Sequence, residues 1–262
     1  MDLMPLETVV ARGVPVRCLM RGQGPRNVVL MPGWGSNPWV YQCFLEAAPP
    51  DRYRVVAVDL FGESGRPWGG YNVSGFADEV RDLMDALDMR SAAVGGHSLG
   101  GVAALLFAQR FLDRLDALVL IGTGPTTKHH GTLPAMLAQL ETRGKDRASL
   151  EELIGGSYGT LPPPDVFRRY IDHAMKAPIE GLIEAMSSAF QYDFVPLLRY
   201  ITAPTLIVHG RYDAGRLMYH AEALKSGIPN SRLAVFECAH YIMEELPEAF
   251  NATVLAFLAE LA

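Results

Sequence analysis

Five residues, Gly96-His97-Ser98-Leu99-Gly100, limit the folds open to this chain more than any other feature. They fit the pattern G-x-S-x-G, and the flanks decide how it is read. Residues 91–95, Ser-Ala-Ala-Val-Gly, are a short apolar run that reads as a buried strand, and residues 101–111 (GVAALLFAQRF), rich in Ala and Leu, read as a helix. Strand, sharp turn and helix in that order put a serine hydroxyl at the tip of a strained turn. Glycines two positions either side are then required, because a side chain at either place would run into the neighbouring strand or helix. The helix starting just after Ser98 aims its first N–H groups at the space where negative charge develops if the hydroxyl attacks a carbonyl.

The rest of the chain repeats the strand–helix rhythm. Residues 14–20, 27–31 (NVVLM), 54–60 (RVVAVDL), 117–121 (ALVLI), 204–209 (PTLIVH) and 232–236 (RLAVF) read as strands, the first two joined by a Gly22-Gln23-Gly24-Pro25 turn. Residues 73–87 carry Phe76, Val80, Leu83, Met84 and Leu87 at helical spacing. A last helix begins near Pro247, with Phe250, Val254, Phe257, Leu258 and Leu261 on one face. Strands without polar alternation, separated by helices, imply an α/β fold with a mostly parallel sheet covered on both faces.

One stretch breaks the rhythm. Residues 124–200 hold no good strand, only helical pieces at 133–140, 150–154, 165–175 and 179–190, with Met136, Met175 and Met186 adding adaptable apolar surface. An insertion there leaves the sheet at its carboxyl edge, where ligands bind. The expected division is therefore a core of residues 1–123 and 201–262 and a helical cap of residues 124–200. The plainer alternative is a second packing layer. The cap's apolar content suggests medium aliphatic or aromatic acyl groups rather than small, highly charged ones. Ala185, Met186 and Phe190 are the expected inward positions.

A serine hydroxyl is a poor nucleophile at neutral pH and needs a base, which in turn needs an orienting acid. Asp213 follows the strand at 204–209 in the loop Gly210-Arg211-Tyr212-Asp213, and His240 follows the strand at 232–236 in Glu237-Cys238-Ala239-His240. Neither is specific alone. Together, the order Ser98, Asp213, His240, each just beyond a strand, assigns nucleophile, acid and base. The oxyanion donors are expected to be the N–H of Leu99 and the N–H of Trp34 in the loop Pro32-Gly33-Trp34-Gly35, with the Trp34 ring lining the acyl pocket. Other candidates read as structural. His97, His209 and Asp59 are expected to pack, His129 and His130 to be exposed, and His173 and His220 to be surface or core residues. Glu237 and Glu244 are rival acids, and Cys238 lacks an elbow.

Composition narrows the function classes. The 262 residues are 49% hydrophobic and 20% charged, enough for one large domain or a core with an insertion. A net charge of −6 gives no reason to expect nucleic acid as a partner. Three widely spaced cysteines, Cys18, Cys43 and Cys238, show neither a disulfide framework nor metal-ligand spacing, which favours a reducing compartment. No apolar run is long enough for a membrane span, and residues 1–13 lack the basic and apolar regions of a signal peptide, so a cytoplasmic location is expected.

These features together resemble the α/β-hydrolase superfamily of serine hydrolases. The resemblance rests on the glycine loop near residue 33, a V-D-L-x-G-x-G-x-S-like segment at residues 58–64, the Ser98 elbow, Asp213 and His240. Two departures stand out. Pro32-Gly33 replaces the family's usual His-Gly, and Leu60-Phe61-Gly62-Glu63-Ser64 keeps only Gly62 and Ser64 of its motif. Pro32 brings neither an N–H nor an imidazole, so this loop must be supported by other hydrogen bonds. Gly33-Trp34-Gly35 and the contexts of Asp213 and His240 look like esterases of the pimeloyl-[acyl-carrier protein] methyl ester type. That likeness implies a carboxylic ester hydrolase needing neither cofactor nor metal, with a small-molecule ester as substrate. It also points to an acidic acyl-carrier protein meeting Arg168 and Arg169, which otherwise read as a solvated helix face. The same triad equally serves a C–C bond hydrolase or an acyltransferase, and the same pocket a non-enzymatic ligand receptor.

Overall fold

The computed structural model describes residues 2–61 and 70–261. Its centre is an eight-stranded sheet: β1 (Glu7–Ala11), β2 (Val14–Arg21), β3 (Arg26–Met31), β4 (Tyr53–Val58), β5 (Ala92–His97), β6 (Leu115–Ile121), β7 (Thr205–Gly210) and β8 (Ser231–Phe236). The spatial order is β1-β2-β4-β3-β5-β6-β7-β8. From β4 to β8 every neighbouring pair is parallel, and β2 joins β4 and β1 antiparallel at one edge. All residues of β5 and β7 are buried, as strands with both faces covered must be. β1 escaped the sequence reading for a physical reason. It is an edge strand with a mostly solvated surface, Val10 being 65% exposed, so it carries no apolar run.

The helices are α1 (Gln42–Ala47), α2 (Val73–Ala86), α3 (Leu99–Arg110), α4 (Leu133–Arg143), α5 (Arg147–Gly155), α6 (Pro164–Ala174), α7 (Ile179–Ser188), α8 (Met218–Gly227), α9 (Ile242–Glu245) and α10 (Pro247–Ala259). Asn72 starts α2 by accepting the Gly75 N–H at 2.9 Å. α3 buries every residue from Leu99 to Ala108, the expected state of a helix apolar all round. Between β6 and β7 the chain builds α4 to α7. Hydrogen bonds fasten this segment to the core at several points. Trp34 Nε1 donates to the Leu182 carbonyl at 2.8 Å, and Val73 N–H to Ser188 Oγ at 3.1 Å. Asn72 Nδ2 donates to Glu184 Oε1 at 2.8 Å, and His173 Nε2 to Asp59 Oδ1 at 2.9 Å. The last pairing gives Asp59, at the end of β4, a structural partner. Gly62 and Ser64 of the V-D-L-like segment lie outside the described residues.

Candidate active site

Ser98 sits between β5 and α3 with φ 51° and ψ −115°. A serine in this region costs about 1–3 kcal/mol and persists only where its surroundings over-determine it. They do so here. Ser98 N–H donates to the Ile121 carbonyl at 2.9 Å, and the Ser98 carbonyl accepts Thr123 Oγ1 at 2.8 Å and the Gly101 N–H at 3.0 Å. The flanking glycines are enforced by backbone, not by adaptable side chains. A Cβ on Gly96 would stand 2.1 Å from the Gly100 carbonyl oxygen, and one on Gly100 would stand 2.4 Å from that of Pro32. Both are far inside contact distance, so the elbow admits no other residue at either place.

Asp213 and His240 come from the loops beyond β7 and β8 and meet, His240 Nδ1 donating to Asp213 Oδ2 at 2.5 Å. Asp213 Oδ1 accepts the N–H groups of Gly215 at 2.9 Å and Arg216 at 2.7 Å. Burial alone would raise the Asp213 pKa. The charge and hydrogen bond of His240, with the Arg216 N–H, outweigh it and hold the carboxyl down at about 2. The His240 backbone is pinned from two sides. Its carbonyl accepts His97 Nε2 at 3.0 Å, and its N–H donates to the Ser157 carbonyl at 3.2 Å. The His97 ring lies against that of His240, centroids 4.4 Å apart. Burial, then the neighbouring His240, keep His97 well below its ordinary pKa and hence neutral.

The loop after β3 packs directly beside the elbow, a Cβ on Gly33 standing 3.3 Å from Ser98 Cβ. Gly33 to Ser36 closes as a turn, Ser36 N–H to the Gly33 carbonyl at 3.2 Å, and the turn does not use the Trp34 N–H. The Leu99 N–H opens α3, where helix geometry provides no partner. In place of the family's histidine, the loop is supported by Tyr41, whose hydroxyl donates to the Met31 carbonyl at 2.8 Å, and by the Trp34 indole.

Ser98, Leu99, Trp34, Asp213 and His240 all line one cavity of about 240 Å³. Leu133, Met136, Leu153, Ile154 and Met186 from the segment between β6 and β7 line it too. Two expectations about the inward face fail. Ala185 is fully buried in packing and does not line the cavity, and Phe190 is 45% exposed, while Ala189 takes the inward place.

The competing residues are engaged elsewhere. Glu237 accepts Arg211 Nε at 2.5 Å and the Tyr212 hydroxyl at 2.6 Å, away from His240 Nδ1. Glu244 accepts the Tyr158 hydroxyl, and burial pushes its pKa up to about 7. Cys238 is buried with its thiol pushed up to about 12, so it is no thiolate. His209 Nε2 donates to the Arg216 carbonyl at 2.6 Å, and His220 is fully buried in α8. His129 is exposed as expected, but His130 is not. It is half buried, lines the cavity, and its Nδ1 accepts the N–H groups of Thr132 and Leu133 at the start of α4. Sequence reasoning missed three residues here: His97 as the anchor of His240, Thr123, and Arg216, which is 2% exposed on the cavity wall. Arg168 is exposed, whereas Arg169 pairs with Asp165 at 3.0 Å. Among the described residues no group of side chains suits a metal ion, and no helix is long and apolar enough to cross a membrane.

Residues 26–247 match the family model described as the alpha/beta hydrolase fold, and the chain belongs to that family as a hydrolase. It is 31% identical to the non-heme chloroperoxidase CPO-A1 of Kitasatospora aureofaciens, over 90% of this chain and 93% of that protein. It is 28% identical to the 2-hydroxy-6-oxononadienedioate/2-hydroxy-6-oxononatrienedioate hydrolase of Paraburkholderia xenovorans (strain LB400), over 91% and 88% of the two chains. The solved structure of an esterase from Exiguobacterium antarcticum superposes with a TM-score of 0.86 at 22% identity, covering 99% of this chain and 100% of that one, a likeness of fold.

Proposed function

We propose that this hydrolase cleaves short carboxylic esters through an acyl-enzyme. The supporting observation is that Ser98, strained at the elbow, lines the same cavity as the hydrogen-bonded Asp213–His240 pair. His240 Nε2 takes the Ser98 proton as Oγ attacks the ester carbonyl. Asp213, ionised because its pKa is held at about 2, keeps the His240 proton on Nδ1 and stabilises the imidazolium that forms. The N–H groups of Leu99 and Trp34 receive the oxyanion. His240 then protonates the leaving alcohol, and a water activated by the same imidazole releases the acid. A cavity of about 240 Å³ is below the roughly 300–1,000 Å³ of drug-sized sites, which favours short esters. The segment holding α4 to α7 acts as the cap that shapes this cavity.

A panel of p-nitrophenyl esters from acetate to octanoate tests the reading. Turnover should peak at short chains and vanish in Ser98→Ala; no turnover of any ester would sink it. The relative named as a 2-hydroxy-6-oxononadienedioate hydrolase favours a second reading, C–C bond hydrolysis by the same triad, and a vinylogous diketone beside the esters separates the two. A carrier-bound ester is the narrowest version. Arg168→Glu with Arg169→Glu should then slow the carrier-bound substrate and spare p-nitrophenyl acetate.

A further inference from the structure

Arg216 is a buried cation that nothing in the proposed reaction uses. It stands three residues beyond Asp213, 2% exposed, and lines the cavity that holds Ser98 and His240. Nη1 donates to the Thr126 carbonyl at 2.9 Å, and Nε is buried with no acceptor. Among the described residues no carboxylate forms an ion pair with its guanidinium. Asp213 is a nearby counter-charge that acts on it through space, its oxygens being hydrogen-bonded to other donors. Oδ1 accepts two backbone N–H groups, and Oδ2 accepts His240 Nδ1. A guanidinium taken out of water without a hydrogen-bonded anion carries a desolvation penalty.

A second donor stands on the same wall. His130 Nδ1 accepts the N–H groups of Thr132 at 3.3 Å and Leu133 at 3.1 Å, which leaves the ring proton on Nε2. His130 Cε1 and Thr132 Oγ1 approach Gly215 together, 3.3 and 3.2 Å from where its Cβ would be. One wall of the cavity thus presents a guanidinium, an imidazole N–H and a hydroxyl. Leu133, Met136, Ile154 and Met186 add apolar side chains to the lining. This is the layout of a site for a ligand with one charged end and a short hydrocarbon body.

We propose that the substrate is a short ester carrying a second, ionised carboxylate, such as the half-ester of a small dicarboxylic acid, and that Arg216 binds this carboxylate with His130 as a second donor. The proposal rests on the ester-hydrolase reading and names its substrate class. It reverses the expectation, drawn from the apolar cap, that small charged esters are excluded. Burial lowers the Arg216 pKa to about 10 and, with the nearby Arg216 charge, that of His130 to about 2. Near neutral pH the first is therefore a cation and the second a neutral donor.

The experiment compares monomethyl glutarate with its neutral isostere, the monomethyl ester of glutaric acid monoamide, and titrates glutarate into Ser98→Ala. The wild-type protein should prefer the charged ester in kcat/KM by roughly 10- to 100-fold, the range of a charge-assisted hydrogen bond. Arg216→Gln should bring the ratio near one, Arg216→Lys should restore part of it, and glutarate should raise the melting temperature of Ser98→Ala. A merely structural Arg216 would lower melting temperatures without moving the ratio. Turnover of both esters at equal rates, with no glutarate binding, overturns the carboxylate site and leaves ester hydrolysis standing. Glutarate binding to Ser98→Ala that is lost when Arg216→Gln is added, with no ester cleaved, upholds the site and sinks the ester reading instead. Where Arg216→Gln fails to fold, the wild-type ratio and glutarate binding decide alone.

Discussion

Asp213→Asn probes the proposed acid, because the geometry says which way the new amide must face. Asp213 Oδ1 accepts two backbone N–H groups, from Gly215 at 2.9 Å and Arg216 at 2.7 Å, and Oδ2 accepts His240 Nδ1 at 2.5 Å. An asparagine must keep its oxygen on the side with two donors. Turning it round would forfeit two hydrogen bonds of about 1 kcal/mol each and set an NH₂ against two N–H groups. At about 2 kcal/mol or more, the amide NH₂ faces His240 in an excess of roughly 30-fold. It then donates to Nδ1, so the ring proton moves to Nε2 and the imidazole cannot accept from Ser98. The lost charge-assisted hydrogen bond to the imidazolium removes about another 1.5–3 kcal/mol in the transition state. Together these lower kcat by about 10³, up to about 10⁴ where the tautomer is fully wrong. The assay is p-nitrophenyl acetate turnover at pH 7.5 beside a thermal melt. Glu237→Gln is the control, since Glu237 holds Arg211 and Tyr212 rather than His240. A folded Asp213→Asn that keeps activity within tenfold of wild type, or a Glu237→Gln that matches its loss, would refute this assignment.

Trp34→Phe removes the indole's hydrogen bond to the Leu182 carbonyl, which keeps its helical partner, the Met186 N–H, and should cost about 0.5–1.5 kcal/mol in urea unfolding; a change within error would show that the segment holding α4 to α7 does not lean on this bond. Glu79, buried on α2 with its pKa raised from 4.5 to about 8 chiefly by burial, favours its neutral form. Its contribution to stability is full below about 4.5 and is lost as pH rises through about 8. The melting temperature of wild type relative to Glu79→Gln should therefore fall between pH 5 and pH 9, and a constant difference would contradict the raised pKa. Ala189→Trp and Met186→Trp, on the inward face, should penalise butanoate and hexanoate esters more than acetate in kcat/KM, whereas Ala185→Trp should chiefly lower the melting temperature. An acyl-length preference that stays flat across the series would make α7 a packing layer.

The legible parts of this protein are those where a local pattern and a topological position coincide. Ser98 announces itself because its strand, glycines and helix are contiguous, and Asp213 and His240 each sit a few residues beyond a strand whose apolar run is unmistakable. Arg216 is different. In the sequence it is one more arginine in a polar loop, whereas in the fold it is buried and donates to the Thr126 carbonyl, ninety residues earlier in the chain. His97 and His130 likewise gain their roles from partners far along the chain, the His240 carbonyl and the cavity wall. The face of α7 shows a related limit. Helical spacing marks which residues leave water but does not tell packing from a cavity, so Ala185 and Met186 read alike although only Met186 reaches the open space. β1 was hidden by its edge position, where half-solvated residues leave no pattern.

Covalent labelling followed by peptide mapping asks directly whether Ser98 is the nucleophile. A fluorophosphonate incubated with the wild-type protein should add one label, mapped to the peptide carrying Ser98. Labelling should slow strongly in a folded His240→Ala and be absent from a folded Ser98→Ala. A label that persists on Ser98→Ala, or maps to another residue of the wild-type chain, would place the nucleophile elsewhere and contradict the mechanism.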